Sequence, residues 1–278
     1  MSMVVNTNVL SLITQTDLAN TNAKLNTAVQ QLSSGLRINS AMDDPAGLAI
    51  ATAMQSQVNG MNQGVQNANA AISLSQVGDG ALGSVSNMLQ QMRTLAVEAA
   101  NGTNDTASDA DLDAEFQQLA AQIGQTLTNT AFNGQAIFSQ AGTITYQVGA
   151  NTTDVIGVAG MNIATTTALT AGTGGLGNLL DQADATTAIS AIDTALSLVN
   201  TTRANNGANE IRFQQVVSTM QVNSQNTAAA QSSIMDTDYA QATSNLTQAE
   251  IVQQAGTAML SQANSIPQNV LSLLAKLP

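Results

Sequence analysis

The densest cluster of side chains capable of chemistry in this sequence is acidic. Five carboxylates, Asp105, Asp109, Asp111, Asp113 and Glu115, follow a loop rich in Gly, Asn, Thr and Asp. Oxygen ligands at alternate positions suit Ca²⁺, but the segment lacks the sixth-position Gly and the twelfth-position Glu of an EF-hand loop. Carboxylates also suit the first turn of a helix, where they meet the positive end of its dipole. The pattern therefore favours a solvated helix start over a calcium site.

Two further acid pairs could act as a general acid and a general base. Asp43 and Asp44 are adjacent, and Asp236 and Asp238 are two residues apart, but no nucleophile or base lies near either pair in the sequence. Because Asp44 precedes Pro45, we expect these carboxylates to cap helices. The sequence contains no Cys and no His, which excludes thiol catalysis, disulfides and zinc sites built from these residues. We therefore predict neither an enzyme nor a cofactor.

Charge is scarce and unevenly distributed. Charged residues make up 9% of the chain and the net charge is -12, which argues against binding to nucleic acid or to anionic membranes. Residues 1–42 and 246–278 are nearly neutral, because the central part holds 16 of the 18 acids and three of the six bases. The ends are either flexible polar tails or helices that become buried against a partner, such as further copies of the chain. No apolar run approaches a membrane span, and the N-terminus lacks the basic region of a signal peptide.

Apolar residues follow helical spacing along most of the chain. Leu18, Leu25 and Leu32 recur every seven residues with Val29 and Leu36 on the same side, which predicts a coiled-coil seam. A pattern with spacings of three and four begins at residue 47, slips at 78–80 and resumes over 82–99. If that helix is continuous, it is about 80 Å long. The pattern uses Met54, Met61, Met88 and Met92 as core fillers. The sequence also predicts a helix ending at Pro267, and a broken helix over 185–234.

The only strand-like pattern lies in the middle of the chain. Ile144, Tyr146 and Val148 alternate with polar residues, and Val155–Val158 returns after a turn, so we predict a β-hairpin within 140–163. Phe132-Asn133-Gly134 predicts a turn. The aromatic content of 2% favours thin helical layers over a thick core. The fold class predicted is therefore mainly α, an elongated rod of long antiparallel helices with coiled-coil-like terminal helices and one small β-hairpin region.

Three stretches resemble bacterial flagellins. They are QLSSGLRINSAMDDPAGLAIA at 31–51, LAVEAANG with FNG at 95–102 and 132–134, and the nearly continuous match over 236–274. The resemblance implies a structural subunit that polymerises into the flagellar filament. It also implies an inner D0 layer of 1–44 and 236–278 and a D1 layer of 45–235, with Thr165–Gly177 in place of further outer domains. The alternatives are a hook–filament junction protein and a surface-bound homologue acting in adhesion.

The resemblance also implies partners and a location. The partners are further copies of the chain, the flagellar cap and hook-associated proteins, an export chaperone and the flagellar type III export apparatus, and the location is the extracellular flagellum. We expect self-assembly to use apolar residues of both ends: Leu18, Leu25, Val29, Leu32, Leu36, Ile251, Ala255, Ala258, Leu271 and Leu274.

The resemblance further implies a surface patch that binds the Toll-like flagellin receptor. Alignment on LAVEAAN and FNG matches the family's Leu at Leu95, but it places neutral Gln91 and Gln122 where the family typically carries an Arg and a Glu. We therefore predict weak receptor binding. The alternative is that Arg93 and Glu115 supply these two charges from shifted positions.

Overall fold

The computed structural model describes residues 7–163, 169 and 175–274, with side chains up to residue 267. Five helices and four short strands are found in this part of the chain. In chain order they are α1 (Val9–Ser34), α2 (Pro45–Ala99), α3 (Thr106–Asn129), β1 (Ala131–Phe132), β2 (Gln135–Ala136), β3 (Thr143–Gln147), β4 (Val155–Ala159), α4 (Gln182–Met235) and α5 (Tyr239–Leu274).

The chain divides into two compact units. The terminal unit consists of Met1–Gln55 with Asn226–Pro278, and the central unit is Ser56–Gln225. The units divide within α2 and α4, whereas the predicted layer borders lie at the ends of these helices. The assignment of 1–44 and 236–278 to one layer and 45–235 to another stays a prediction.

Helix ends follow local capping chemistry. The Asn8 side chain accepts a hydrogen bond from the Ser11 amide at 3.1 Å to begin α1, and Gly35, with φ of 73°, ends it in the left-handed region that glycine tolerates. Asp44 caps α2 by accepting from the Gly47 amide at 2.9 Å, as the sequence predicts. Asp238 accepts from the Ala240 amide at 2.9 Å at the start of α5.

The structure resolves the continuity of α2, which the sequence left open, and it corrects two helix predictions. α2 is unbroken through 78–80 and has 55 residues, which gives it a length of about 82 Å. α4 is one helix of 54 residues, so the predicted break after residue 200 is wrong. α5 continues through Pro267 to Leu274. An interior proline removes one N–H donor and its ring clashes with the carbonyl four residues back, at a cost of about 3 kcal/mol, and a Gly weakens a helix by about 1 kcal/mol. Tertiary packing can override both signals.

The core of the central unit is a helical layer built from α2, α3 and α4 with the loops between them. It includes fully buried Leu89 and Met92 of α2, Phe116 of α3 and Ile192 of α4. Phe138, from the segment after β2, is also fully buried in this core. Two of the four Phe rings, Phe116 and Phe138, thus lie in this core, where each one buries a large apolar area, whereas Tyr239 of α5 is 57% exposed.

Two antiparallel hairpins follow α3. β3 pairs with β4 as predicted, with Tyr146 opposite Ile156, and the Tyr146 ring meets Phe213 of α4 edge to face at a centroid distance of 5.3 Å. The sequence prediction missed the smaller hairpin, in which Phe132 pairs with Gln135 around Asn133-Gly134. Both turn residues have positive φ, 50° and 79°, as Asn-Gly hairpin turns require.

Candidate assembly surfaces

α1 and α5 of the terminal unit pack against each other in an antiparallel pair. Asn8 donates to the Ala263 carbonyl at 2.8 Å, and Gln253 donates to the Asn22 side chain at 2.7 Å. The more buried positions of α1 repeat every seven residues in two alternating series: Ser11, Leu18, Leu25 and Leu32, and Thr14, Thr21 and Ala28. The seven-residue repeat of leucines is therefore part of a coiled-coil seam, and that seam faces α5 of the same chain.

The inward face of α5 follows the same repeat and alternates larger with small side chains. Its members are Ala242, Leu246, Ala249, Gln253, Gly256, Leu260, Ala263 and Pro267. Leu18 Cδ1 lies 3.3 Å from where a Cβ on Gly256 would stand, so the leucine fits into the gap that the glycine leaves. Small residues at alternate positions bring the helices together, but they bury little apolar area.

Large apolar side chains of this pair point outward instead. The exposed fraction is 54% for Leu12, 54% for Ile13, 61% for Ile251 and 55% for Met259. Monomeric proteins seldom expose apolar residues in this density, and such surfaces mark sites of association. The outward-facing side chains, rather than the leucine seam, are therefore available to a partner.

The predicted assembly residues divide accordingly. Leu18, Leu25, Leu32 and Leu36 are partly buried within the chain, whereas Val29, Ile251, Ala255 and Ala258 are exposed. The side chains of Leu271 and Leu274 lie outside the described residues. The sequence reasoning missed Val252, Met259 and Ile266, which are exposed on α5 at intervals of seven residues. Their heptad spacing was the signal that could have identified them.

The segments that follow α1 and precede α5 are joined by hydrogen bonds to backbone groups. Leu36 forms an isolated antiparallel bridge with Asp236, and the Arg37 guanidinium donates to the Ile234 carbonyl at 2.6 Å. The Asp43 carboxylate accepts from the Ser40 amide at 2.9 Å and the Asn39 amide at 3.0 Å, and these bonds lower the pKa of Asp43. The Asp43 carboxylate thus holds a turn of the segment after α1, and the expectation that it caps a helix is wrong.

The five-carboxylate segment forms a helix start, but its boundary differs from the prediction. α3 begins earlier, at Thr106, because Asp105 is its N-cap and accepts from the Ser108 amide at 2.8 Å. Bonding by Ser108 lowers the pKa of Asp105. Asp113 accepts from the Leu179 amide at 2.8 Å instead of lying in the first turn. Within the described residues, no group of three or more potential ligands is placed to hold a metal ion.

The predicted receptor residues lie on two helices of the central unit, α2 and α3. Gln91 and Gln122 are exposed, and Leu95 is partly buried against the core. Gln91 and Leu95 are four residues apart on α2 and so share a face. Arg93 Nε instead bonds Asp193 of α4 at 2.8 Å, which directs its charge away from that face. The assignment of these residues to a receptor patch, with Gln91 or Arg93 at the charged position, stays a prediction.

No described helix is both long enough and apolar enough to span a bilayer. The exposed apolar residues of α1 and α5 are interspersed with polar ones, and a helix of that kind suits association with other helices.

Comparison with known proteins identifies relatives along almost the whole chain. Residues 5–143 match the family model of the bacterial flagellin N-terminal helical region, and residues 189–274 match that of the C-terminal helical region. The chain is 39% identical to a flagellin of Halalkalibacterium halodurans, over 89% of this chain and 90% of the relative. It is 35% identical to flagellin FlaB2 of Treponema pallidum, over 98% and 100%. The crystal structure of Bacillus cereus flagellin is similar with a TM-score of 0.50 and 33% identity, covering 60% of this chain and 94% of that one.

Proposed function

The chain belongs to the bacterial flagellin family, and from that premise we propose that α1 and α5 form the innermost layer of a filament. The chain is a structural subunit of the bacterial flagellar filament, which is a polymer of flagellin chains. In this arrangement the outward faces of the helix pair pack against the same pair in neighbouring copies. Flagellins are a structural family, and the proposal assigns no catalytic activity to this chain.

One observation carries the proposal: the terminal helix pair exposes large apolar side chains on a surface that is almost free of charge. Among the described residues of α1 and α5, three side chains are charged, Asp17, Lys24 and Glu250. Burying such a surface removes apolar area from water, worth about 1.5–3 kcal/mol for each large side chain. The same burial desolvates few charges, so the free-energy cost of charge desolvation, which opposes association, is small.

A substitution at Ile251 tests the proposal without disturbing the chain's own helix pair. Ile251 is 61% exposed, so Ile251→Asp should leave the monomer folded, with unchanged helical circular dichroism. It should abolish the elongation of flagellar seeds, because a carboxylate would be buried between copies. Ile251→Leu is the matched control and should elongate normally. Normal filaments from Ile251→Asp would refute the role of this face.

Leu25 provides a second and different probe of the same unit. It belongs to the seam between α1 and α5 and is partly buried. Leu25→Asp should therefore loosen the helix pair in the monomer as well as stop elongation, whereas Ile251→Asp should stop elongation alone. Equal effects of both variants on the circular dichroism of the monomer would contradict this division between inward and outward faces.

The same function implies export and assembly partners. We propose that the chain leaves the cell through the flagellar type III export apparatus with an export chaperone, and adds to the filament beneath its cap and beyond the hook-associated proteins. This is supported by the resemblance of both ends to flagellins and by the nearly uncharged outward surface of α1 and α5, which needs cover outside the filament. Deletion of the export apparatus should retain the chain inside the cell, and secretion without it would refute this route.

Weak binding to the Toll-like flagellin receptor is also part of the proposal. It is supported by the neutral Gln91 and Gln122, both exposed. It is further supported by the pairing of Arg93 with Asp193, which keeps the nearest cation of α2 on another face.

A further inference from the structure

The charged side chains of the terminal helix pair form no ion pair with any other described residue. Asp17 and Lys24 of α1 and Glu250 of α5 are all exposed, and the two ion pairs found among the described residues both lie in the central unit. If this helix pair is covered by neighbouring copies, each charge must find a partner there or be buried alone. A buried unpaired charge costs several kcal/mol, so assembly selects strongly for pairing.

Lys24 and Glu250 stand at the same level of the antiparallel pair. The side chains of Asn22 and Gln253 are hydrogen-bonded across it at 2.7 Å. Lys24 follows Asn22 by two residues on α1, and Glu250 precedes Gln253 by three residues on α5. Because the helices are antiparallel, both displacements run in the same direction, and the heights of Lys24 and Glu250 differ by about one helical step of 1.5 Å. The two opposite charges therefore share one height, although no ion pair joins them within the described chain.

They lie on opposite flanks of the pair. Lys24 lines an open groove between the two helices together with Gln248 and Val252 of α5. Successive helical residues turn by about 100°, so Glu250, two positions from each of these, is rotated by about 200° from both. Glu250 accordingly belongs to the other flank. We call the flank with the groove the lysine flank and the flank that carries Glu250 the glutamate flank.

The lysine flank also carries a second apolar stripe. Val252, Met259 and Ile266 follow one another at intervals of seven residues on α5, and their exposed fractions are 46%, 55% and 38%. A heptad stripe of this kind packs against another helix in a left-handed supercoil. The inward seam of α5 is already used by α1, so this second stripe is free for a helix of a neighbouring copy.

We propose that Lys24 of one copy forms an ion pair with Glu250 of the adjacent copy, and that this pair sets the register at which the two helix pairs join. The inference rests on the proposed function, because it requires the terminal helices to meet in a polymer. When the lysine flank of one copy meets the glutamate flank of the next, one glutamate flank and one lysine flank stay unoccupied at the two ends of the pair of copies. Such a heterologous contact can be repeated from copy to copy, and it builds an open filament when the rotation between copies does not close into a ring.

Asp17 is the competing partner, and the geometry disfavours it. Asp17 precedes Lys24 by seven residues and so lies on the same lysine flank. Lys24 can reach Asp17 of another copy only when two lysine flanks face each other in opposite directions. That contact uses the same surface twice and closes into a dimer, which cannot extend. The filament therefore selects Glu250.

Charge reversal of full-length chains tests the pair. We expect Lys24→Glu and Glu250→Lys each to raise the critical concentration for elongating flagellar seeds about 30-fold, because each places like charges together. An alternating mixture of the two variants restores opposite charges at every contact, so the equimolar mixture should elongate within about threefold of the unmodified chain. An ion pair within one chain would not be restored by mixing. The double variant should also elongate.

Asp17→Lys is the matched control, since it changes the net charge by the same amount as Glu250→Lys. It should elongate nearly normally, and the melting temperature of every monomeric variant should stay unchanged. Normal elongation by either single reversal, or failure of the mixture, would overturn the pairing while leaving the proposed function intact. Poorer elongation by Asp17→Lys than by Glu250→Lys would assign the partner to Asp17 and also overturn it. Failure of the unmodified chain to elongate seeds would overturn the proposed function and the pairing together.

Discussion

Two glycines of α2 allow a turn of the central unit to rest directly on the helix. A Cβ added to Gly64 would stand 2.3 Å from the Val148 carbonyl oxygen, and one added to Gly60 would stand 2.8 Å from the Ala150 Cα. Both contacts are to backbone, which cannot rotate away as a flexible side chain could. Gly64→Ala should therefore push the segment between β3 and β4 off the helix.

The size of the effect follows from two opposing terms. Replacing Gly by Ala in a helix interior gains about 1 kcal/mol. The gap at Gly64 has to open by about 0.7 Å to reach the 3.0 Å below which real Cβ contacts are essentially never found, and overpacking of this kind costs about 1–3 kcal/mol. The displaced segment includes Val148, which is buried in the cluster around Phe213, so further apolar contact is lost. We expect a net destabilisation of about 1–2 kcal/mol.

Gly80→Ala is the internal control on the same helix. A Cβ added to Gly80 meets nothing within 4 Å, so only the gain of about 1 kcal/mol remains. Thermal unfolding of the full chain, followed by circular dichroism, should place the Gly64→Ala midpoint below that of the unmodified chain and the Gly80→Ala midpoint above it. The two variants differ by about 2–3 kcal/mol in the free energy of unfolding, so their midpoints should differ by about 4–12 °C. A Gly64→Ala midpoint at or above that of Gly80→Ala would refute the close contact.

Three further predictions concern charge, the chain ends and recognition. The Arg203 guanidinium lowers the pKa of Asp79 below its ordinary value of 3.8, so the pair stabilises the central unit above that pH and the contribution disappears as the pH falls through the lower, folded value. Because both side chains are more than a third exposed, Asp79→Asn should lose only about 0.2–1 kcal/mol near neutral pH. The melting curves of the two proteins should converge in acid, and a constant difference would exclude the ion pair. Limited proteolysis of dilute monomer, followed by mass spectrometry, should remove both ends and leave a core near 45–235, because the terminal helix pair buries mainly small residues. Equal protection of the ends in monomer and filament would count against this prediction. A reporter-cell titration should show weak receptor activation that improves about 100-fold with Gln91→Arg plus Gln122→Glu, and potent activation by the unmodified chain would remove that hypothesis.

Periodicity was sufficient to predict the mainly α fold and the β3–β4 hairpin. The repeat of Leu18, Leu25 and Leu32 identified a seam because a seven-residue spacing keeps side chains on one face of a helix. The same repeat could not say whether that face meets another part of the chain or another copy. The partner of the seam depends on which residues of α5 lie opposite it. The contact of Leu18 with Gly256 shows that the seam meets α5 of the same chain.

Other features were misread because local signals compete with tertiary packing. The slip of the apolar pattern at 78–80 left the continuity of α2 open. The helix continues through this segment, where Asp79 pairs with Arg203 of α4 at 2.8 Å. Asn133-Gly134 was read as a turn alone, because strands of two residues leave almost no periodic pattern in the sequence. Ile251, Ala255 and Ala258 follow spacings of four and three and so define one face of α5. The stripe of Val252, Met259 and Ile266 lies on the adjacent face, which this spacing does not include.

Electron microscopy of the purified chain after seeding tests the central claim most directly. The account predicts long helical filaments, elongated from the seeds by the unmodified chain and absent with Ile251→Asp, although that monomer keeps its helical content. Unmodified chains that stay monomeric or form closed oligomers in the presence of active seeds would contradict it.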